Sequence, residues 1–297
     1  MDNSFLILDG AMGSELTRRR PDREISPDGT WSARALIDYP DLVSDVHDSY
    51  IKAGSNIITT NTYSTIPSYL STAGLESEYI KYTELAGAIA SSTARAADKE
   101  VLVAGSIPPL SESYRFDLVP DANEAIPIYE NMTRALLPYV DIFICETMST
   151  KGEAANALEA IRNVIGQDRP VWISWTLSEE PGSGLRNGES IIDAFNHIDH
   201  LSTDAFLFNC THSDAISIGL KTLRELTDKP TGGYPNRVYI PKNWKLLSGR
   251  GSRYEFSPHE FVEKAKEWKE NGAQIFGGCC GIGPDHISLL ADTLTKP

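Results

Sequence analysis

Cysteine is scarce in this sequence, and so are basic residues and long apolar runs. With four cysteines in 297 residues, the fold does not depend on a disulfide framework, and a chain of this length buries a sizeable core without one. Asp and Glu outnumber Lys and Arg by 41 to 27, and the formal net charge of −14 argues against nucleic acid or an anionic membrane as partner. No apolar stretch approaches the length that spans a bilayer.

The first ten residues, MDNSFLILDG, lack the basic flank and the small-residue cleavage site of a secretory signal. We therefore expect a cytoplasmic protein, in which thiols stay reduced and cysteines serve as ligands, nucleophiles or core residues. The hydrophobic fraction of 41% and the charged fraction of 23% are those of an ordinary globular protein.

Eight short apolar runs recur along the sequence, and segments with helical spacing of apolar residues lie between many of them. Most runs show little alternation of apolar and polar residues, which is typical of strands covered on both faces. This order predicts an α/β fold, a (β/α)8 TIM barrel that spans residues 1–297 as one domain. A doubly wound sheet would favour a glycine-rich phosphate loop after the first strand, and that loop is missing. The predicted strands are 5–8, 56–60, 101–105, 140–145, 171–176, 205–209, 231–234 and 274–278.

Helices are predicted between the strands from apolar spacing and from terminal signals. Asp41 is expected to cap the first of them and Gly54 to end it, while Ser257 followed by Pro258 predicts another N-terminus. The longest irregular segments follow strands one, three and seven, at the end of a barrel where active sites are built. The predicted helices are 41–54, 76–97, 151–165, 213–226, 257–272 and 283–294, and the irregular segments are 18–33, 108–121 and 232–256.

All four cysteines fall where predicted strands end. Cys279 and Cys280 directly follow the eighth strand in GGCCG, and Cys210 follows the sixth in LFNC. The glycines around the pair supply the backbone freedom to bring both thiols onto one target. Three thiolates with one tetrahedral position left over match the layout of a catalytic zinc site, and sulfur ligands favour zinc over magnesium or calcium. Cys145 ends the apolar fourth strand and is predicted to be a core residue.

Other uses of the cysteines stay open at this point. A cysteine nucleophile would need a histidine nearby, and His212 and His286 are the candidates because they follow Cys210 and Cys280 in the sequence. A three-cysteine metal site would also suit a barrel hydrolase or lyase that activates water instead of a thiol. A third alternative is a metal-free binding protein for an amino acid, in which the cysteines are structural.

Two carboxylates are predicted at the same end of the barrel. Asp9 follows the first strand in ILDGAMG, and Glu146 follows the fourth in CET, where capping of the next helix is its alternative role. Together they place negative charge at the mouth of the barrel, which favours a cationic guest such as the α-ammonium group of an amino acid. The TTNTYS segment after the second strand adds hydroxyl and amide groups at the same level.

The ordered motifs DGAMGSEL, WSA, GSNIITTNTYS, CET, NC and GGCCG resemble those of the homocysteine S-methyltransferase family over essentially the whole chain. That family includes S-methylmethionine- and betaine-dependent enzymes. The resemblance implies a zinc-containing barrel that transfers a methyl group to the thiol of homocysteine and so forms methionine. By the same resemblance, the Zn²⁺ ligands are Cys210, Cys279 and Cys280.

The resemblance also implies a set of substrate-binding residues. Asp9 and Glu146 match the acidic residues that hold the homocysteine amino group. Thr60 and Thr62 lie in a turn that resembles the family's homocysteine-contacting turn, and Asn209 accompanies the first zinc cysteine, whose loop it is expected to orient.

The methyl donor is expected to be a small sulfonium or ammonium compound. Because the chain is a single barrel without cobalamin or folate modules, S-methylmethionine is the first candidate, with S-adenosylmethionine and betaine as alternatives. The segments GSIPPLSESYRFD and GGYPNRVYIPKNW depart from the pattern of the S-methylmethionine-dependent branch, although the second keeps YPN. These two loops are expected on the donor side, so the donor and even the acceptor thiol or selenol stay open.

Overall fold

The computed structural model describes residues 5–22, 24–241 and 252–295. Within these residues, eight parallel strands form one sheet and two short antiparallel strands form a second. The barrel strands are β1 (Leu6–Ile7), β2 (Ile57–Thr59), β3 (Leu102–Ile107), β4 (Ile142–Met148), β5 (Val171–Trp175), β6 (Ala205–Asn209), β7 (Thr231–Tyr234) and β10 (Ile275–Phe276). The antiparallel strands are β8 (Val238–Tyr239) and β9 (Ser252–Arg253).

The strand order in the sheet is β1, β10, β7, β6, β5, β4, β3, β2, so from β2 to β10 each barrel strand pairs with the next, and β10 pairs with β1. Strands β1 and β2 stand at the two ends of this order. Each predicted strand is present, and β6 and β7 have the predicted bounds. The prediction of a barrel of eight parallel strands is therefore confirmed. Part of the predicted irregular segment after the seventh strand, residues 242–251, lies outside the described residues.

Asn56 closes the barrel between β1 and β2. Its backbone N–H donates to the carbonyl oxygen of Ile7 over 3.0 Å, and its side-chain Oδ1 accepts from the Ile7 N–H over 2.8 Å. Its Nδ2 donates to the carbonyl oxygen of Phe5 over 3.1 Å. One residue thus satisfies three backbone groups of the first strand, which would otherwise need partners on a neighbouring strand.

The strand side chains form two apolar layers. On β4, Ile142 and Ile144 belong to the inner layer, whereas Phe143 and Cys145 belong to the outer layer that packs against helices. Because side chains alternate along a strand, Glu146 follows the inward direction of Ile144. The inner layer contains Leu8, Ile57, Ala104, Ile142, Ile144, Trp172, Ala205, Leu207, Tyr234 and Ile275.

Helices surround the sheet, and none of the described ones is both long and apolar enough to cross a membrane. Their apolar faces pack against the outer layer of the strands. In chain order they are α1 (Met12–Arg19), α2 (Ala33–Asp38), α3 (Pro40–Ala53), α4 (Pro67–Leu70), α5 (Tyr79–Arg95), α6 (Ala122–Leu136), α7 (Lys151–Ile165), α8 (Ile191–Ile198), α9 (Ser213–Leu226), α10 (Pro258–Glu270) and α11 (Pro284–Thr295).

Two predicted helix ends are confirmed and one is wrong. Gly54 ends α3 with a left-handed φ of 113°, and Ser257 caps α10 in a reciprocal capping box with Glu260. Asp41 does not cap α3, because Pro40 starts the helix one residue earlier and Asp41 lies within its first turn. Proline is well suited to this position because its missing N–H would have no helical partner there.

Helix α6 was not predicted, although the sequence contains its start signal. Asp121 caps it by accepting hydrogen bonds from the backbone N–H groups of Asn123 and Glu124. Pro127 lies inside the helix, where proline normally argues against a helical assignment. As the sixth residue of α6 it lies beyond the unpartnered first turn, so its missing N–H removes the helical bond that would go to the carbonyl oxygen of Asn123.

Candidate metal and substrate site

Three cysteines meet at the carboxyl end of the barrel. The Sγ atoms of Cys210, Cys279 and Cys280 all lie within 4.8 Å of one another, and those of Cys210 and Cys280 are 3.6 Å apart. All three are free thiols. A tetrahedral zinc ion with Zn–S bonds of about 2.3 Å holds its sulfurs about 3.8 Å apart, so the observed spacing fits one shared ion.

The cysteine pair is held by the segment that follows β7. The backbone N–H of Cys279 donates to the carbonyl oxygen of Pro235 over 2.8 Å, and the carbonyl oxygen of Cys280 accepts from the Arg237 N–H over 2.9 Å. These bonds fix the backbone on both sides of the pair. The two neighbouring side chains are therefore held in place before any ion binds.

The glycines around the pair serve two different purposes. A Cβ on Gly277 would overlap Leu8, and a Cβ on Gly278 would overlap the side chain of Ile282, so both positions allow close packing. Gly281 alone of the three has a left-handed backbone, with a φ of 82°. The expectation that all three supply backbone freedom thus applies to Gly281, while the other two are glycine because of space.

Cys210 has a left-handed backbone as well, with a φ of 51°, and its N–H donates to the carbonyl oxygen of Tyr234 over 3.2 Å. Its Sγ lies 2.9 Å from Oη of Tyr114, a buried residue in the loop after β3. Left-handed conformations are unfavourable for residues with a Cβ, so the surrounding structure holds Cys210 in this geometry.

Asp9 lies at the end of β1 and is bonded to Thr59 of β2. The Thr59 N–H donates to Oδ2 and the Thr59 hydroxyl to Oδ1, both over 2.9 Å. Burial raises the pKa of Asp9 to about 7, and the charge of Glu146 also raises it. The ring of His47 is completely buried, with Nδ1 4.0 Å from Oδ2 of Asp9, and burial lowers its pKa to about 4. His47 is therefore neutral beside the carboxyl group.

Glu146 points into the barrel mouth. Its Oε1 accepts a short hydrogen bond from the Ser106 hydroxyl, and its Oε2 accepts one from Oη of Tyr234 over 3.4 Å. Burial raises its pKa to about 7. Glu146 is not the cap of α7, because the Thr150 hydroxyl performs that role by accepting from the Glu153 N–H.

Thr60 and Thr62 are linked to Glu146 through Ser106. Their hydroxyl oxygens are 2.8 Å apart, the Ser106 N–H donates to Thr60 Oγ1 over 3.0 Å, and Thr62 donates to the Ser106 carbonyl oxygen over 2.6 Å. The two hydroxyls thus clamp the residue that bonds to Glu146. Their predicted contact with substrate stays a prediction.

Asn209 connects the ends of three strands. Its Oδ1 accepts from the Thr147 N–H over 2.8 Å and from the Ser174 hydroxyl over 2.7 Å, and its Nδ2 donates to Oγ1 of Thr147 over 2.8 Å. Thr147 has a left-handed φ of 60°. Because Asn209 directly precedes Cys210 and bonds to the residue after Glu146, it fixes the cysteine site and the carboxylate site relative to each other.

The two histidines near the cysteines have structural roles. His212 begins α9, where its Nδ1 accepts from the Asp214 N–H over 3.2 Å. The Nε2 of His286 is 2.9 Å from the carbonyl oxygen of Phe256, and it must donate to that oxygen. Both rings are thus engaged away from the thiols, and Cys145 is buried in the outer layer. These contacts do not favour the alternative in which a cysteine acts as a nucleophile with His212 or His286 as its partner.

Sequence reasoning missed several residues around the site. Ser106 and Tyr234 hold Glu146, and Tyr114 contacts Cys210. Ser106 had a usable signal, since it is a polar residue next to an apolar strand in GSI. The sequence around Tyr114 gave no signal of its role beyond its place in the loop after β3.

The model of the protein family described as homocysteine S-methyltransferase matches residues 6–294, which is nearly the whole chain. The chain belongs to the homocysteine S-methyltransferase family. It is 28% identical to homocysteine S-methyltransferase YbgG of Bacillus subtilis, over 97% of this chain and 93% of that protein. It is also 28% identical to homocysteine S-methyltransferase 3 of Arabidopsis thaliana, over 98% of this chain and 90% of that protein.

A solved structure of the family has the same fold. The metallated form of the homocysteine methyltransferase MmuM from Escherichia coli aligns with a TM-score of 0.81 at 25% identity, over 98% of this chain and 96% of that one. In this family context, the three cysteines of the present chain are a candidate metal site.

Proposed function

We propose that this protein transfers a methyl group from a small sulfonium or ammonium donor, with S-methylmethionine as first candidate, to the thiol of homocysteine. The observation that carries the proposal is the convergence of the Cys210, Cys279 and Cys280 Sγ atoms within 4.8 Å. Membership of the homocysteine S-methyltransferase family supports homocysteine as the acceptor. The related Escherichia coli enzyme has been solved in a metallated form, which supports a resident metal.

The chemistry of the three sulfurs favours Zn²⁺ at this site, with Cys210, Cys279 and Cys280 as the residues that hold it. Bound zinc supplies a positive centre that keeps a fourth, substrate sulfur in the thiolate form at neutral pH. Three anionic protein ligands already exceed the charge of the ion. The substrate sulfur consequently retains more electron density, and more nucleophilicity, than it would beside neutral ligands.

Asp9 and Glu146 are the proposed site for the α-ammonium group of homocysteine. Each carboxyl group is held by hydrogen bonds from a neighbouring strand, to Thr59 and Ser106 respectively, so its oxygens are oriented before substrate binds. Binding a cation beside them favours the ionised carboxylates and offsets the desolvation that raises both pKa values.

The proposed reaction is a direct displacement at the methyl carbon. A bond forms between the homocysteine sulfur and the methyl carbon, while the bond from that carbon to the donor sulfur or nitrogen breaks. The donor atom keeps the electron pair and becomes neutral. Holding both substrates in line supplies much of the rate acceleration, and the negative charge of the protein attracts a cationic donor.

Zinc-edge X-ray absorption with and without homocysteine tests the proposed acceptor. We expect a shell of three sulfurs and one lighter atom that becomes a shell of four sulfurs when homocysteine binds. An unchanged shell would contradict the proposal and favour the alternative of a hydrolase or lyase that activates water. A panel of S-methylmethionine, S-adenosylmethionine and betaine, assayed for methionine with homocysteine as acceptor, identifies the donor.

A further inference from the structure

A buried ion pair lies in the loop after β5. The side chains of Glu179 and Arg186 are only 7% and 4% exposed, and Nη1 of Arg186 is 3.9 Å from Oε1 of Glu179. Nη2 of Arg186 donates to the carbonyl oxygens of Ile240 and Pro241, each over 2.8 Å. Arg186 therefore links the loop after β5 to the loop after β7 and positions both at the barrel mouth.

This pair adjoins the cysteine site. The guanidinium carbon of Arg186 lies 5.3 Å from the centre of the Tyr114 ring, whose Oη is 2.9 Å from Cys210 Sγ. The Ile240 N–H donates to Oε1 of Glu179 over 3.3 Å, and the Ile240 side chain packs in one small cluster with Tyr114 and Cys210. Glu179 thus belongs to the wall beside the candidate metal ligands, on the side of the loops after β5 and β7.

The second carboxylate oxygen of Glu179 is buried without a hydrogen-bond partner among the described residues. Burial raises the pKa of Glu179 to about 7, while nearby Arg186 lowers it. The backbone N–H of His212 approaches the carboxyl group and also lowers its pKa, but it does not reach Oε2 with the geometry of a full hydrogen bond. A buried acceptor without a donor is unfavourable, so this oxygen calls for a partner that the described fold does not supply.

We infer that Glu179 selects the methyl donor by binding its positively charged onium centre, an inference that rests on the proposed function because it assigns the donor half of the same site. Sulfonium and quaternary ammonium centres have no N–H or O–H to donate. They are recognised through charge and through contact with aromatic faces, without hydrogen bonds, and a buried carboxylate oxygen that accepts no hydrogen bond can supply the charge.

The charge change of the reaction fits this assignment. Before transfer the donor is a cation and Glu179 attracts it. After the methyl–donor bond breaks, a sulfonium donor becomes a neutral thioether and the attraction to Glu179 is lost, whereas a tertiary amine product loses its charge only until it takes up a proton. The same carboxylate therefore favours binding of the donor and release of a thioether product. Glu179 does not attract a neutral methyl source, so the residue determines the preference of the enzyme for cationic methyl donors.

The test compares a cationic and a neutral methyl source in the same enzyme. Zinc-loaded wild type, Glu179→Gln and Glu180→Gln are assayed with homocysteine and either methyl iodide or an onium donor. The onium donor is whichever of S-methylmethionine, betaine and S-adenosylmethionine gives most methionine with the wild type. Glu180 is the matched control, because it is the exposed neighbour of Glu179 in the same loop and carries the same charge.

For Glu179→Gln we expect kcat/KM for the onium donor to fall at least about tenfold, which corresponds to about 1.4 kcal/mol. The methyl iodide rate and the KM for homocysteine stay within about twofold of the wild type. Glu180→Gln matches the wild type with both methyl sources. Glu179→Asp, which keeps the charge, retains part of the preference for the onium donor.

The ratio of the two rates is measured on the same active molecules, so it does not depend on how much of a variant folds. An unchanged ratio in Glu179→Gln, or an equal loss with both methyl sources, would overturn the assignment while the proposed function stands. A wild type that forms no methionine with any of the three onium donors would instead overturn the proposed function, and this inference with it.

Discussion

Oη of Tyr114 lies 2.9 Å from Sγ of Cys210, so the loop after β3 contacts a candidate metal ligand that follows β6. Both residues have left-handed backbones, with φ of 67° for Tyr114 and 51° for Cys210. Burial raises the pKa of Tyr114, so the phenol stays protonated and donates to the sulfur. A donor to a metal-bound thiolate orients the ligand and carries part of its negative charge.

Replacement of Tyr114 by Phe removes this hydrogen bond and keeps the ring. We expect zinc affinity to fall about tenfold, because residues that orient metal ligands typically contribute that much. Competition with a chromophoric chelator measures it. Tyr139→Phe is the control, since Tyr139 precedes β4 at the opposite end of the barrel. Equal zinc affinities in both variants would show that the Tyr114 hydroxyl does not support the site.

The contact of Tyr114 with Cys210 could not be predicted from the sequence, unlike the barrel itself. The barrel could be predicted because buried parallel strands leave continuous apolar runs, as β6 shows. The meeting of Cys210 with Cys279 followed from that barrel, since the carboxyl ends of its strands share one face. The position of Tyr114 depends on a loop whose left-handed backbone is held by distant contacts, and no local pattern encodes it.

The three buried carboxylates at the mouth differ in the same way: the positions of Asp9 and Glu146 could be predicted from the sequence, and that of Glu179 could not. Asp9 lies two residues after β1 and Glu146 lies in the last part of β4, so their predicted place at the mouth required only the strand register. Glu179 lies within a loop, and its partner Arg186 is seven residues further along the same loop. Their burial depends on how this loop meets the segment after β7, which is a tertiary contact that sequence spacing does not reveal.

Cys280→Ala and Cys145→Ala separate a metal ligand from a core thiol. In Cys280→Ala we expect zinc affinity to fall by more than the roughly 100-fold that outer residues contribute, and methionine formation to be lost. In Cys145→Ala zinc content stays stoichiometric, because that thiol lies in the outer apolar layer. The free energy of unfolding falls by about 1 kcal/mol, as expected for a small buried truncation. Metal analysis and urea unfolding measure both results, and zinc loss in Cys145→Ala would contradict the assignment.

Gly278→Ala tests the close packing behind the cysteine pair. The added Cβ would overlap the Ile282 side chain, so we expect a loss of about 1–3 kcal/mol in stability and weaker zinc binding as Cys279 is displaced. Gly13→Ala is the control, because a Cβ at this position meets no atom within 4 Å. Gly13 lies in α1, where Ala in place of Gly stabilises the helix by about 0.5–1 kcal/mol. Unfolding and chelator competition are measured for both. Wild-type zinc affinity in Gly278→Ala would contradict the packing argument.

The buried carboxylates predict a pH dependence of homocysteine binding. Burial raises the pKa of Asp9 from 3.8 and that of Glu146 from 4.5, in both cases to about 7. As pH rises from 6 to 8, a group with a pKa of 7 goes from about 9% to about 91% ionised, so its attraction for an ammonium group grows. We expect KM for homocysteine to fall about tenfold over this range, and the fall to be weaker in Glu146→Gln.

Glu153→Gln separates this effect from the pH dependence of stability. Glu153 of α7 is also buried with a pKa raised to about 7, but it bonds to Ser149 and not to the mouth residues Asp9 and Glu146. A raised pKa means that the folded state holds its proton more tightly than the unfolded state. The stability from this proton is fully present below about pH 4 and is lost as pH rises through about 7. We therefore expect Glu153→Gln to flatten the dependence of unfolding free energy on pH while the KM profile stays that of the wild type. A changed KM profile in Glu153→Gln would mean that stability, and not ionisation of Asp9 and Glu146, produces the pH dependence.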